Sequence, residues 1–319
     1  QHIVKRGLAP PFLFIMPFIG YNPKVLKCYE ELEDPVVDIP TTDDSAWLYY
    51  KNENWVYNKL NIALSQNIDC GPIGVTPTKY PIIVKPIYNM FGGGIEARKI
   101  NNSKELETCR HPGCLWMKWM EGVHLSHDII VLNGVPLWSI TFKGHPIGKG
   151  MFDYWEVFTP PKSIILYVYD WIKKHLKNYT GCICLETIGQ EPATIIEVHL
   201  RMGDVDRLGN YHLISNIISL YQDKVWKFKE EINEFYLFAI WGKNDVEYTV
   251  NKDIVHKICS NLTSYQIDDP ELFYQNPLGG VRLAILNDYN KKKCIQSRNR
   301  LTPYFKPAIP SYLREKLIS

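Results

Sequence analysis

Hydrophobic and polar positions divide the chain near residue 80. Upstream, residues 11–20 read as a strand and 24–32 as a short helix, and the Pro- and Asp-rich stretch 33–46 reads as loop. Residues 53–66 carry apolar side chains at helical spacing. Gly71, Pro72, Gly74 and Pro77 then break the pattern. Downstream the order becomes strand, glycine loop, strand, helix, strand: 81–85, 89–94, 96–100, a helix opening at Ser103, and 115–120. A strand over 126–132 runs into Asn133-Gly134, a strong hairpin signal, and returns over 135–142. A helix is predicted over 162–178, followed by strands 182–188 and 194–200 joined by Gly189-Gln-Glu-Pro192. Beyond residue 212 the spacing predicts helix 213–232, strand 235–241, helix 251–261 and strand 281–286. The expected fold class is α+β with mostly antiparallel sheets.

Composition narrows the class. The 319 residues are 45% hydrophobic and 22% charged, globular proportions that exclude a largely disordered chain. Lys plus Arg is 36 against 34 for Asp plus Glu, so no broad basic footprint argues for nucleic acid. No apolar run reaches the roughly 20 residues of a membrane-spanning helix. The run Phe12–Ile19 is short, is broken by Pro17 and lacks a small-residue cleavage site, so it reads as a buried strand rather than a signal peptide. Eight cysteines include Cys182 and Cys184 in an apolar stretch, which suits buried thiols, and a reducing, cytoplasmic setting is the expectation. Cys109, His111 and Cys114 lack the second ligand pair of a zinc site.

Three constellations carry chemistry. Gly92, Gly93 and Gly94 lie between two strands, where backbone amides can approach phosphate oxygens, and Lys85 precedes them at a strand end. Both a glycine-rich turn and a phosphate loop fit that stretch alone. Glu197, His199 and Arg201 fall on one face of a strand, with Glu186 on the strand before. Facing carboxylates repel unless a cation lies between them, and Mg²⁺ shared with phosphates satisfies both. Lys118-Trp119-Met120 ends a strand before Glu121-Gly122, where apolar walls and a backbone edge could receive a planar base.

Taken in order, these pieces resemble the ATP-grasp superfamily over residues 53–204. The resemblance implies two α+β lobes around a nucleotide cleft, with a short N-terminal α/β segment before them. It divides the chain into a pre-grasp segment and linker helix (1–80), a small lobe with the glycine loop (81–121) and a large lobe with a C-terminal extension (122–319). By the same resemblance Lys59 and Lys85 contact phosphates, and Gly92, Gly93 and Gly94 form a lid. Lys118, Trp119 and Met120 form the adenine hinge, and His124 stands at the ribose-binding acid. Glu186 and Glu197 hold Mg²⁺ (or Mn²⁺), and Arg201 follows as a catalytic arginine. His199 stands where the family has a metal-binding asparagine, a change toward Mn²⁺ or an altered metal count.

The implied reaction is an ATP-dependent ligation. A carboxylate becomes an acyl phosphate, and an amine displaces the phosphate. Small-molecule carboxylate and amine partners follow, and a homodimer is common at this size. Lys143, His145 and Lys149, with Gly144, Gly148 and Gly150, read as a basic flexible stretch, with Lys143 as a further catalytic candidate. A small-molecule kinase and a non-catalytic relic on the same fold are the rival readings.

Overall fold

A computed structural model describes residues 38–88, 97–109, 111–189, 193–244, 246–268 and 279–308, together with the backbone of Phe18–Ile19. The helix expected over 24–32 and the loop of Gly92, Gly93 and Gly94 lie outside the described residues. In chain order the elements are β1 (Phe18–Ile19), β2 (Ile39–Pro40), α1 (Asp43–Tyr49), α2 (Lys59–Ser65), β3 (Cys70–Pro72), β4 (Ile82–Pro86), β5 (Arg98–Ile100), α3 (Ser103–Glu107) and β6 (Cys114–Lys118). Next come β7 (His124–Leu132), β8 (Val135–Gly148), β9 (Met151–Val157), α4 (Lys162–His175), β10 (Gly181–Ile188), β11 (Thr194–His199), α5 (Tyr211–Asp223) and β12 (Tyr236–Gly242). The chain ends with β13 (Tyr248–Thr249), α6 (Lys252–Cys259), β14 (Ser264–Ile267), β15 (Val281–Asp288), α7 (Lys291–Leu301) and β16 (Lys306–Pro307).

Two antiparallel sheets organise these elements. The small sheet has the order β3-β6-β4-β5, and the large one runs β11-β10-β7-β8-β9-β12-β15-β14. The small sheet thus takes in Cys70–Pro72, within the stretch that reads as a break. In the large sheet β7 and β8 join through Asn133 and Gly134, both at positive φ as a two-residue hairpin requires. One core cluster joins the inner faces of β7, β8, β10 and β11 to α4 and α5, including Ile129, Val131, Val168, Ile172, Ile183, Ile195 and Ile217. A second lies where β12 and β15 meet α6 and α7, around Phe238, Leu286, Cys259 and Cys294.

Several boundaries differ from expectation. Residues 43–49, inside and just past the expected loop, are a helix whose Thr42 cap accepts from Ser45 N, with the Ser45 side chain returning to the Thr42 backbone. The helix expected over 53–66 is two pieces. A 3₁₀ turn covers Asn54–Tyr57, then Asn58 caps α2 by accepting from Asn61 N. The cap of α3 is Asn102 rather than Ser103. The stretch 143–148 is strand rather than loop, because β8 continues to Gly148 and pairs with β9, with register shifts on both sides of Pro146. Helix α5 stops at Asp223, where Lys224 turns left-handed at φ 58°. No helix among the described residues is long and apolar enough to cross a membrane.

Candidate active site

The site grows from strand register. Glu186 on β10 lies directly opposite Glu197 on β11, and on its other side opposite Ser126 of β7. Side chains alternate between sheet faces, so His124, Glu186, Glu197 and His199 share one face. His124 Nε2 lies 2.8 Å from Glu186 Oε2, and the rings of Phe152 and Trp155 meet the His124 ring edge-on at 5.2 and 5.4 Å. Lys59, the first residue of α2, places Nζ 2.6 Å from Glu197 Oε1. Lys85 reaches from β4 of the small sheet and donates to the Ile196 carbonyl of β11 at 2.9 Å. Two ammonium groups from outside the large sheet therefore arrive beside its paired carboxylates.

Burial makes these charges interdependent. It brings the Lys85 pKa down to about 8, helped by the Lys59 charge and opposed by Glu197 and Glu186. Burial disfavours ionised Glu197, yet Lys59 and then His199 hold its carboxylate well below the usual range. Burial likewise works against Glu186, and His124 more than offsets it. For His199, burial opposes the charged ring but Asp43 lifts the pKa to about 9.

Asp43, at the start of α1, is the residue the sequence reading missed. Its Oδ1 lies 2.9 Å from His199 Nδ1 and accepts from Arg201 Nε at 2.8 Å, and its Oδ2 accepts from Arg201 Nη2 at 3.1 Å. Tyr57 OH donates to the same carboxylate at 3.3 Å. Despite burial, Arg201 and His199 hold Asp43 well below the usual carboxylate range. Arg201 Nη1 donates to the Met202 carbonyl at 3.0 Å, so each of its three guanidinium nitrogens makes a bond within the protein. The available signal was Thr42-x-x-Ser45 ahead of an apolar stretch, a helix start that puts Asp43 in a first turn.

The structure does not bring every candidate together. Lys143 pairs with Leu125, whose side chain faces away from Glu186, and its Nζ rests over the Phe158 ring at 5.4 Å. It therefore lies on the opposite sheet face from the carboxylates. Lys118 is exposed at the end of β6. Trp119 lies under Lys99 Nζ at 4.7 Å and donates from Nε1 to Glu121. Met120 sits near Thr194 at the joint between the sheets. Gly92, Gly93 and Gly94 are outside the described residues.

No protein-family model matches the chain, and a search of curated proteins found no match. Solved structures do match. An L-amino acid ligase from Bacillus licheniformis superposes with a TM-score of 0.56 at 13% identity, over 83% of this chain and 74% of that one. Phosphoribosylamine–glycine ligase from Thermotoga maritima gives 0.57 at 11%, over 87% and 85%. N5-carboxyaminoimidazole synthetase from Staphylococcus aureus, complexed with ADP, gives 0.55 at 10%, over 84% and 80%. This chain has the ATP-grasp fold.

In grasp-fold terms the small sheet and the large sheet are the two lobes, and the candidate site lies where α2 and β4 meet β10 and β11. The donor set there fits a magnesium nucleotide. Facing carboxylates supply hard oxygens, and the lysines supply positive charge for phosphates. Among the described residues no three His, Cys, Asp or Glu side chains enclose a metal by themselves. An ion here would need further oxygens, from water or from a bound phosphate.

Proposed function

We propose that this chain is an ATP-dependent, ADP-forming ligase for a small carboxylate and a small amine. The observation that carries the reading is the convergence of buried Lys59 and Lys85 on the Glu186–Glu197 pair within a grasp fold. Two of the similar structures are named as ligases and a third was complexed with ADP, which supports the class.

Attack on a free carboxylate fails because oxide is a poor leaving group. Transfer of the γ-phosphoryl group to a carboxylate oxygen makes an acyl phosphate. The amine then adds to the carbonyl carbon, loses a proton, and inorganic phosphate departs with the C–O bond electrons. In this reading Lys59 and Lys85 hold the phosphates against the anionic carboxylate, and Glu186 and Glu197 hold Mg²⁺. Bound there, the ion would neutralise charge that develops on the transferring oxygens. His124 orients Glu186. Lys118, Trp119 and Met120 keep their assignment to the base at the hinge. Arg201 enters as a positioning group, since Asp43 and Met202 engage its fork, and Lys143 takes no part.

The test is calorimetric titration of ATP with Mg²⁺ or Mn²⁺ into wild type and Lys85→Ala, followed by a screen of carboxylate–amine pairs for ADP release. Metal-dependent binding should weaken at least about tenfold in the variant, roughly 1.4 kcal/mol. Wild type that binds no nucleotide with either ion overturns the reading.

A further inference from the structure

A bulge in β9 sets two aromatic rings beside the carboxylates, and the step taken here rests on the ligase reading above. Gly144 of β8 lies opposite Trp155, His145 opposite Tyr154, and Pro146 opposite Phe152, so Asp153 is an extra residue in β9. A regular strand would place Phe152 and Trp155, three positions apart, on opposite faces. The bulge puts them on one. Asp153 pairs with Arg298 of α7, and Tyr154 stacks on His145 at 4.0 Å and on Phe238 at 4.7 Å. Phe152 and Trp155 turn the other way, onto Gly144, where no Cβ intervenes, with their ring centroids 4.4 Å apart. Trp241 Nε1 donates to the Phe152 carbonyl at 2.8 Å and fixes the bulged backbone.

This is the face of the candidate site. The His124 ring meets Phe152 and Trp155 edge-on, and its Nε2 lies 2.8 Å from Glu186 Oε2. The two rings are therefore one imidazole away from Glu186. The His124 and Glu186 side chains keep 20% and 25% of their surface exposed, and Phe152 and Trp155 are half-buried. Phe152 presents only carbon. A sugar lying there would give up water around its hydroxyls without regaining partners from that ring. A flat apolar ring would gain both buried area and an offset or edge-to-face contact.

We propose that Phe152 and Trp155 form the specificity wall for an acceptor substrate that carries an aromatic ring. The ring lies on the wall, and the reacting carboxylate or amine points toward the phosphate end of the site, where Lys59 and Lys85 converge. Binding energy gained on the ring then orients the reacting group. Discrimination comes from the non-reacting part of the substrate, because an aliphatic acceptor of the same charge leaves the wall uncovered.

The deciding measurement is ¹⁹F NMR of the wild-type chain, with and without Mg²⁺ and ADP. The ring probes are 4-fluorobenzoate and 4-fluorobenzylamine, and the ringless controls are trifluoroacetate and trifluoroethylamine. At least one ring probe should broaden and stay bound when the nucleotide is added, while the controls remain sharp. Its affinity should fall at least about fivefold in Phe152→Leu and in Trp155→Leu. Where those variants do not fold, the wild-type chain decides: deuterated except at Phe and Trp, it should show Overhauser contacts from the probe ring to aromatic protons of the chain, and their absence overturns the wall. A probe displaced by Mg²⁺ and ADP, or one bound equally by the folded Leu variants, overturns it too. Nucleotide bound without any ring probe overturns the wall and leaves the nucleotide-site reading intact. A ring probe bound by a chain that takes no nucleotide overturns the ligase reading and the acceptor assignment with it, and binding of neither overturns both.

Discussion

His127 shows at the scale of one residue how burial sets behaviour. It is fully buried, with Nδ1 2.8 Å from Thr141 Oγ1 and Nε2 3.0 Å from Thr187 Oγ1. Burial, with His124 nearby, lowers its pKa to about 3, from 6.5 for the free ring. The folded value lies below the unfolded one. Its contribution to stability is therefore complete above pH 6.5 and is lost as the pH falls toward 3, because the unfolded chain takes the proton first. The slope is about 1.4 kcal/mol per pH unit for one proton. Urea unfolding of wild type between pH 6.5 and 5 should weaken more steeply than that of His127→Gln by about this amount. Equal slopes would sink the assignment. Lys59, Lys85, Glu186 and Glu197, which the structure brings together, were candidates in the sequence because their order along the chain resembles a known pattern. Asp43 was not, since His199 and Arg201 are 156 and 158 residues away and no local pattern ties them to it. Lys143 was misread for a different reason. A flexible stretch has no sheet parity, whereas on a strand a one-residue step reverses the face.

At the scale of elements, most strands of the large sheet were recoverable because hairpins are local. The end of β8 was not. Gly144 and Gly148 look like breakers, but at Gly144 the absent Cβ leaves room for the rings of Phe152 and Trp155, each under 3 Å from where that atom would lie. Helix α1 was hidden by the Pro- and Asp-rich composition around it, although its capping residues were present. Close to the joint between the two sheets, Gly122 holds an exacting backbone position. Gly122 has φ +134°, and a Cβ there would lie 2.7 Å from Gly189 Cα. The chain crosses itself at that point, with Gly189 N donating to the Val123 carbonyl at 3.2 Å. Gly122→Ala combines a disfavoured φ with a backbone clash, so it should destabilise by roughly 1–3 kcal/mol. Chemical denaturation reads this directly. A variant within about 0.5 kcal/mol of wild type would mean that the crossing relaxes freely, contrary to this account.

At the scale of the whole molecule, the question is how α2 and the small lobe are held on the large sheet. Strand β11 is an edge, and an edge exposes unpaired backbone groups. Gln66 covers it like a short strand: Nε2 donates to the Ile195 carbonyl and Oε1 accepts from Ile195 N, both at 2.8 Å. Tyr167 of α4 donates to that same Oε1 at 2.6 Å, and Trp171 donates to Ser65 at 2.9 Å. Such long-range closures, like the pairing of Trp155 with Leu237, leave no periodicity to read in one sequence. The closure and the site use different groups, so they should separate experimentally. Gln66→Ala leaves the N–H and C=O of Ile195 without those partners and should cost about 1–3 kcal/mol, lowering the melting temperature. Mn²⁺ with ADP at about 100 times Kd adds about 2.7 kcal/mol to any form that binds it. At about 2–4 °C per kcal/mol, that is a rise on the order of 5–10 °C. Calorimetry should find that rise retained in Gln66→Ala on a lower baseline, and lost or sharply reduced in a Lys59→Ala, Lys85→Ala double variant. A Gln66→Ala chain that folds but shows no ligand-induced rise would make the edge closure part of the binding site itself, and the separation argued here would fail.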